Sequence, residues 1–311
     1  MSRESKVILL CVALVFIFIA IITLLNRCAD DENDNQISQS ITDTAQSVEE
    51  HSTVDLDISE TERIDSLLRC NIEHDTTSMY ELPSSKINKP QEVYYRFAYT
   101  VSYNPSTRCA NWVAWSLKRE NTNGEFTRNK LNPPYYEDVD SLTNKQHLID
   151  WRNEYPYEHG HMCPAADNRW NEAAMRQSFF LSNMCPQYGD LNQGDWLNLE
   201  EKCRFWADKF GTIYIVAGPI FESSRYKFLP ESSVAIPDKF FKVILCMTPK
   251  PMAIGFIYPN DNSKHRFFEA AKSIDYVEKI TGIDFFYQID DITENEIESS
   301  YNLKDWHIRE K

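Results

Sequence analysis

The sequence predicts an α+β fold, in which helices flank a mainly antiparallel sheet. From residue 90 onward, β-branched and aromatic residues recur over strand lengths, and two longer segments have apolar residues at helical spacing. The strand-like segments follow one another without the regular strand–helix alternation that a parallel sheet requires. An antiparallel sheet with helices packed against it is therefore the expected architecture.

Five segments have the length and composition of strands. They cover residues 93–103, 112–117, 212–217, 240–247 and 252–258. Gly218 and Pro219 end the third segment, because neither residue supports a regular strand interior. Residues 248–251 (Thr-Pro-Lys-Pro) separate the last two segments, which predicts a hairpin.

Two helices are predicted from the spacing of apolar residues. The first covers residues 192–210 and ends at Gly211. Its apolar face consists of Trp196, Leu199, Cys203, Trp206 and Phe210. The second covers residues 265–281 and ends at Gly282.

The formal charge of −15 is unusual for a protein that binds nucleic acid, because phosphate contacts favour a basic surface. Ten of the acids lie in residues 28–60, which contain no Lys or Arg. Residues 1–27 carry +2 and residues 61–89 carry −1, which leaves −6 for residues 90–311. High-affinity binding to DNA by surface charge alone is therefore excluded, and a metal ion would have to supply local positive charge.

The N-terminus predicts a membrane anchor. Residues 7–25 are apolar except for Thr23, which is long enough to cross a hydrocarbon core of about 30 Å as a helix. Arg3 and Lys6 precede this segment, so the positive-inside rule places residues 1–6 in the cytoplasm and the remainder outside, in the periplasm or at the cell surface. Cys28 suggests a lipoprotein as an alternative, but Arg27 directly before it argues for an uncleaved signal anchor.

The predicted organisation has four parts. Residues 1–27 form the cytoplasmic stub and anchor, 28–60 an acidic disordered linker, 61–89 a lead-in segment, and 90–311 the globular domain. In an exported chain, the six cysteines beyond residue 60 would form up to three disulfides. The alternative is that several of them are small buried apolar residues.

Residues 157–200 concentrate the side chains that carry chemistry. His159 and His161 lie on one face of an extended segment, because side chains alternate along a strand. This pair is either half of a zinc site, a single working histidine with a neighbour, or structural. Asn192, taken alone, indicates a helix N-cap.

Taken together, these segments resemble the DNA/RNA non-specific endonucleases, which are the ββα-metal or His-Me finger nucleases. The resemblance covers residues 90–290. It rests on Glu158-His159-Gly160-His161, on Ser-Asn-Met-Cys-Pro-Gln at 182–187, on Leu-Asn-Gln-Gly-Asp-Trp-Leu-Asn-Leu-Glu at 191–200, and on shorter matches at 111–114, 127–129, 216–219 and 278–282.

This resemblance implies a metal-dependent enzyme that hydrolyses DNA and RNA without sequence specificity, with a ββα-metal motif at its active site. It implies that His161 is the general base and that Asn192 holds Mg²⁺, for which Mn²⁺ or another divalent ion would substitute. It also implies an active-site asparagine at Asn183, an acidic residue on the metal helix at Glu200, and an arginine facing the phosphate at Arg128.

The chemistry agrees with this implication. A neutral imidazole deprotonates water near neutral pH, and a divalent cation with a guanidinium neutralises phosphate charge. Eight residues of continuous helix between Asn192 and Glu200 give a rise of ~12 Å, so both cannot bind one ion directly. Glu200 is therefore expected to orient the groups around the metal.

The chain departs from the usual Asp-Arg-Gly-His pattern of the family at two positions. Glu158 replaces the aspartate and is expected to orient a neighbour. His159 replaces the arginine, which removes a permanent cation and leaves a possible phosphate contact. The alternatives are a zinc hydrolase using His159 and His161, and a catalytically impaired homologue that binds nucleic acid. No protein partner is evident beyond the DNA and RNA substrates and the membrane.

Overall fold

The computed structural model describes residues 60–70, 79–131 and 156–309. Within the described part of the chain, the residues from Ile64 onward form one compact unit. The predicted anchor and the acidic linker up to residue 59 lie outside the described residues. Among the residues that are described, no helix is both long and apolar enough to cross a membrane.

The centre of the fold is a seven-stranded sheet in the order β1-β2-β3-β6-β9-β10-β11, and every neighbouring pair is antiparallel. Two two-stranded sheets, β4-β5 and β7-β8, complete the strands of the described residues. The strands are β1 (Glu92–Tyr95), β2 (Thr100–Asn104), β3 (Cys109–Lys118), β4 (Tyr157–His161), β5 (Met184–Tyr188), β6 (Thr212–Ile220), β7 (Lys227–Phe228), β8 (Ala235–Ile236), β9 (Lys239–Cys246), β10 (Met252–Pro259) and β11 (Ala271–Lys272).

Six α-helices occur in the described residues. They are α1 (60–69), α2 (Glu172–Gln177), α3 (Leu197–Phe210), α4 (Phe267–Ala270), α5 (Ile274–Thr281) and α6 (Asp291–Ser299). Single turns of 3₁₀ helix cover Arg119–Thr122, Arg128–Lys130, Ala165–Asn168 and Leu181–Asn183, and a π-helical turn covers Leu191–Trp196.

The two faces of the large sheet carry separate apolar cores, because successive residues of a strand point to opposite faces. On β6, Ile215 enters the core beneath α3, whereas Val216 enters the core beneath α5 and α6. The first core also contains Trp196 and Trp206, and it supports the β4-β5 pair. The side chains around β4, β5 and α3 therefore rest on one face of the sheet.

The α+β architecture with a mainly antiparallel sheet is confirmed. The hairpin between β9 and β10 is also confirmed, with Met252 opposite Cys246. The segment 93–103 is two strands instead of one, because Arg96 and Tyr99 close a turn through an N–H···O bond of 2.8 Å.

The single helix predicted over 265–281 is wrong. Ala271 and Lys272 form β11 and pair with Phe256 and Gly255 of β10, which interrupts the helical segment. A new helix, α5, begins after Ser273, whose hydroxyl accepts a hydrogen bond from the Tyr276 N–H. Gly282, with φ of 68°, ends α5 as expected, because this left-handed conformation is open to glycine.

The six described cysteines are all free thiols. Five of them are buried: Cys109, Cys163, Cys185, Cys203 and Cys246. Cys163, Cys185 and Cys203 lie in the core beneath α3. The prediction of up to three disulfides is therefore wrong, and the alternative of small buried apolar residues holds.

Candidate active site

The candidate site lies on two antiparallel strands that are followed by a helix. β4 and β5 are antiparallel, with His161 opposite Met184 and Glu158 opposite Gln187, and the chain then passes through the π-helical turn into α3. Gly160 separates the two histidines of β4. A Cβ atom at Gly160 would collide with the Gln187 side chain, so glycine is needed for the close approach of β5.

His161 lies at the end of β4 with its ring packed edge-on against Phe179, at 4.9 Å between centroids. Its Nε2 atom is buried and has no hydrogen-bond partner among the described residues. Burial, followed by the charges of Arg128 and His159, lowers the pKa of His161 from 6.5 to about 3. The imidazole is therefore neutral near pH 7, which is the form that accepts a proton.

Arg128 begins the second 3₁₀ turn after β3 and is exposed to solvent. Its guanidinium carbon is 5.7 Å from the centroid of Phe179, the same ring that packs against His161. The charge of Arg128 also contributes to the lowered pKa of His161. The structure thus brings together two predicted residues that are far apart in the chain, with Phe179 between them.

Asn192 lies in the π-helical turn, and its side-chain Nδ2 donates to Glu158 Oε2 at 2.8 Å. Gln193 donates to the other carboxylate oxygen of Glu158. Because the amide nitrogen of Asn192 is directed at Glu158, the amide oxygen remains as the ligand atom for a cation. A neutral oxygen beside a carboxylate suits Mg²⁺, which prefers oxygen ligands. Glu158 therefore orients a neighbour, as the sequence predicts.

The continuous helix predicted from Asn192 to Glu200 is wrong in its first part. The backbone leaves helical geometry at Gly194, with φ of −113° and ψ of −105°, and the regular helix begins at Leu197. The rise of ~12 Å calculated for eight helical residues does not apply to this path. The environment of Glu200 must be judged from its neighbours instead.

Glu200 lies on α3 and is half-buried. Burial, opposed by the charge of Lys242 and reinforced by that of Asp167, raises its pKa from 4.5 to about 7. Asp167 is 3% exposed, and its carboxylate accepts from Arg204 at 3.0 Å and from the indole of Trp115 at 3.1 Å. Glu200 is thus one member of a group of charged side chains beneath α3.

Asn183 is fully buried, and each polar atom of its side chain is used. Its Oδ1 accepts from the Cys163 N–H at 2.9 Å, and its Nδ2 donates to the carbonyls of Cys163 and Ser178 at 2.9 and 2.7 Å. Asn183 therefore holds the backbone that follows His161, and its role at the active site stays a prediction.

His159 is only 8% exposed, so it offers little surface to a phosphate group. It lies on the same strand as His161 and opposite Pro186. The phosphate contact of His159 stays a prediction, and the burial of the ring disfavours it. The charge of His159 lowers the pKa of His161, so His159 affects the site electrostatically.

Lys242, which no sequence motif singles out, lies on β9 and is completely buried. Its Nζ is 4.3 Å from the Trp196 ring and 5.5 Å from the Trp115 ring, and it has no hydrogen-bond partner among the described residues. A lysine inside an apolar strand segment is the signal that could have revealed it, because an unpaired ammonium is rarely buried. Arg204, one helical turn after Glu200, could have been found from that spacing.

Two cavities of this part of the structure have different lining residues. One of about 380 Å³ is lined by Glu158, Gln193 and Lys264, and so adjoins the candidate cation ligand. Another of about 850 Å³ is lined by Asn198, Lys202 and other residues. Neither lining contains His161, Arg128 or Asn192.

The family model for DNA/RNA non-specific endonucleases matches residues 79–292, which is more than half of the chain. The chain belongs to this family. The match includes β4, β5 and α3, so it covers the candidate site. The family match begins at residue 79 and so includes part of the predicted lead-in segment. Leu82, from that segment, is buried in the core beneath α5.

Relatives of known name agree with this membership. The chain is 31% identical over 237 residues to the mitochondrial nuclease EXOG of Xenopus laevis, covering 70% of this chain and 63% of that protein. It is 33% identical over 161 residues to the mitochondrial endonuclease G of Bos taurus, covering 48% and 52%. It is 34% identical over 215 residues to nuclease C1 of Cunninghamella echinulata var. echinulata, covering 63% and 82%.

A family member in the crystal structure of the EndoG/EndoGI complex has the same fold. The TM-score is 0.58 with 25% sequence identity, covering 68% of this chain and 90% of that chain. The matches span between about half and two thirds of the animal relatives. The predicted family of nucleases, which are hydrolases, is confirmed.

The predicted location is wrong. The sequence indicates a catalytic domain anchored outside the cytoplasm, whereas the animal relatives are mitochondrial nucleases by name. The described residues also contain no helix able to cross a membrane. The apolar segment on which that prediction depends lies outside the described residues.

The lowered pKa of His161 predicts how stability depends on pH. With a folded pKa of about 3 and an ordinary value of 6.5, the unfolded chain binds a proton here at pH values where the folded protein does not. The stabilisation that results from the lowered pKa of His161 in the folded protein is therefore fully present above pH 6.5. It is lost as the pH falls from 6.5 towards 3. The unfolding free energy of His161→Asn, measured with urea in EDTA, should fall less steeply than that of the wild type between about pH 7 and 5, by at most about 1.4 kcal/mol per pH unit. Parallel pH dependences would contradict a buried neutral imidazole.

Proposed function

We propose that this protein is a metal-dependent endonuclease that hydrolyses the phosphodiester bonds of DNA and RNA without sequence specificity. One observation carries the proposal. A neutral His161, whose Nε2 has no partner among the described residues, lies beside Arg128 across the Phe179 ring. A base that is deprotonated near pH 7 and a guanidinium next to it are the groups that phosphodiester hydrolysis requires.

His161 takes the proton of the attacking water in its neutral form. Arg128 binds a non-bridging phosphate oxygen and neutralises charge that develops on it. Asn192 would hold the divalent cation, Mg²⁺ or Mn²⁺, through its amide oxygen, and Glu158 keeps that amide in its orientation. A bound divalent ion would supply Lewis acidity to the phosphate and to the departing oxygen.

Glu200 and Asn183 act as positioning residues in this proposal. Glu200 lies on α3, and the charges of Lys242, Asp167 and Arg204 act on its carboxyl group. Asn183 fixes the turn after His161 through its three hydrogen bonds. His159 tunes the charge state of His161 and has no contact with substrate.

The zinc hydrolase alternative lacks support in the described residues. A third ligand beside His159 and His161 would be required, since catalytic zinc uses three protein ligands. In the described parts of the chain, the only grouping of three or more His, Cys, Asp or Glu side chains with ligand spacing is Asp275, Glu278 and Glu298. Neither histidine belongs to it.

A nicking assay with the full chain tests the function. Supercoiled plasmid, single-stranded DNA and structured RNA should all be cut with Mg²⁺ and left intact with EDTA, because the proposed residues contact phosphate and water and none reads base edges. Sequencing of the cleavage ends should show no strict motif. Retention of DNA in a gel shift without cleavage at any Mg²⁺ or Mn²⁺ concentration would favour the impaired binding homologue instead.

A further inference from the structure

Three carboxylates meet between the last two helices. Asp275 and Glu278 lie one turn apart on α5, and Glu298 lies on α6. One carboxylate oxygen from each of the three lies within 4.8 Å of the others. α5 and α6 belong to the core on the sheet face opposite α3, because Val277 and Ile297 enter that core and Trp206 the other. This cluster is therefore distinct from the candidate active site.

Glu298 is buried, which distinguishes this cluster from a group of surface carboxylates. Its residue is 7% exposed, and its Oε1 atom is buried without a hydrogen-bond partner among the described residues. A buried carboxylate oxygen without a donor is costly, because it has lost its hydration and gained nothing in return. A buried oxygen without a donor, on a carboxyl group that lies close to two further carboxylates, requires a positive charge or a proton.

The surroundings of Glu298 are negative. The four charges that act most strongly on it are those of Glu278, Glu294, Asp275 and Asp284, and all four are carboxylates. The other carboxylate oxygens of the cluster accept only some of the hydrogen bonds that they could accept. Glu278 accepts one hydrogen bond, from the Phe285 N–H at 2.7 Å. The cluster thus combines closely spaced oxygens, burial of one member, and uncompensated negative charge.

We propose that Asp275, Glu278 and Glu298 form a binding site for a divalent cation, and that the cation is Ca²⁺. All three donors are carboxylate oxygens, the ligands that Ca²⁺ takes at about 2.3–2.6 Å. Oxygens separated by up to 4.8 Å fit around one such ion. The absence of nitrogen and sulfur donors from the trio argues against zinc.

Ca²⁺ suits this site better than Mg²⁺ for a geometric reason. Asp275 is exposed and Glu278 half-buried, so water completes the coordination sphere on one side. Ca²⁺ accepts such an irregular set of six to eight oxygens, whereas Mg²⁺ demands a near-octahedral one. Bound there, the ion would fasten α6 to α5 and so hold the C-terminal helix on the sheet.

Protonation is the competing way to neutralise the cluster. Burial and the neighbouring carboxylates raise the pKa of Glu298 to about 9 and that of Glu278 to about 7. In that case one proton shared among the carboxylates would replace the ion, and Ca²⁺ would have no effect. The two possibilities differ in a measurable way, since only one of them depends on the cation concentration.

The test compares thermal unfolding and calorimetric binding for the full chain after treatment with EDTA and its removal. With about 1 mM Ca²⁺, the Tm of the wild type should rise by ~5 °C or more, and Mg²⁺ should raise it less. Glu298→Gln keeps the shape of the side chain and should abolish both the Tm shift and the binding heat of Ca²⁺. Asp275→Asn, at an exposed position, should weaken the shift without any effect on folding.

Asn192→Ala is the matched control, because it removes the proposed ligand of the other site. It should show the full Ca²⁺ shift, and Glu298→Gln should retain Mg²⁺-dependent plasmid cleavage. A wild type whose Tm does not respond to Ca²⁺ would overturn the proposal in favour of a shared proton. An equal Ca²⁺ shift in Glu298→Gln would also overturn it, because the ion would then bind elsewhere.

Discussion

His161→Ala should lower the rate of plasmid and RNA cleavage by about 10²–10⁴-fold, the contribution of a general base. The imidazole is the group that accepts the proton, and its pKa of about 3 keeps it neutral at working pH. His159, the other histidine of β4, does not replace it, since it is only 8% exposed. The measurement is the initial rate of nicking at saturating Mg²⁺.

Two controls separate lost chemistry from lost structure in this variant. Its DNA affinity in EDTA should stay close to the wild type and its unfolding should stay cooperative, because Nε2 has no hydrogen bond to lose among the described residues. His265→Ala removes an imidazole outside β4 and should cut normally. Added imidazole should restore part of the activity of His161→Ala. Wild-type rates from His161→Ala itself would exclude the assignment of the base.

Asn192→Ala should raise the Mg²⁺ concentration needed for half-maximal activity by about tenfold or more, on the scale of lost metal-site contacts. The variant loses the amide oxygen, which is the proposed ligand atom, and leaves Glu158 without one of its two amide donors. Excess Mg²⁺ should therefore rescue part of the rate. The measurement is a Mg²⁺ titration of nicking activity at fixed ionic strength.

Gln193→Ala is the matched control for this titration. Gln193 donates to the same carboxylate of Glu158, but it is not the proposed ligand. Its Mg²⁺ dependence should lie close to the wild type, whereas Glu158→Gln, which disturbs the orientation of Asn192, should fall between the two. Equal Mg²⁺ dependence in Asn192→Ala and the wild type would mean that another residue holds the ion.

Much of the fold follows from local patterns in the sequence. The alternation of β-branched and aromatic residues marks β3, β6, β9 and β10, because these side chains suit a pleated, buried surface. Gly211 and Gly282 end their helices with φ values of 92° and 68°, which only glycine adopts freely. The motif residues of β4 and of the turn before α3 were also identified from sequence, since their spacing along the chain is local.

The errors arise where distant contacts override a local pattern. Residues 265–281 have helical spacing throughout. However, Lys272 pairs with Gly255 at the edge of β10, and this pairing divides the helix. Residues 192–196 continue the apolar period of α3, yet the backbone turns at Gly194 so that Asn192 reaches Glu158. In both cases tertiary hydrogen bonds outweigh a weak helical preference.

By itself, the sequence determined the family, the α+β class, and the identity of the base and cation-ligand candidates, because these depend on residue types at fixed local spacing. Only the tertiary structure decided their charge states and neighbours. Burial lowers the pKa of His161, Phe179 brings Arg128 beside it, and β9 places Lys242 under Glu200. Desolvation and Coulomb interactions act through space, so residues far apart in the chain set them.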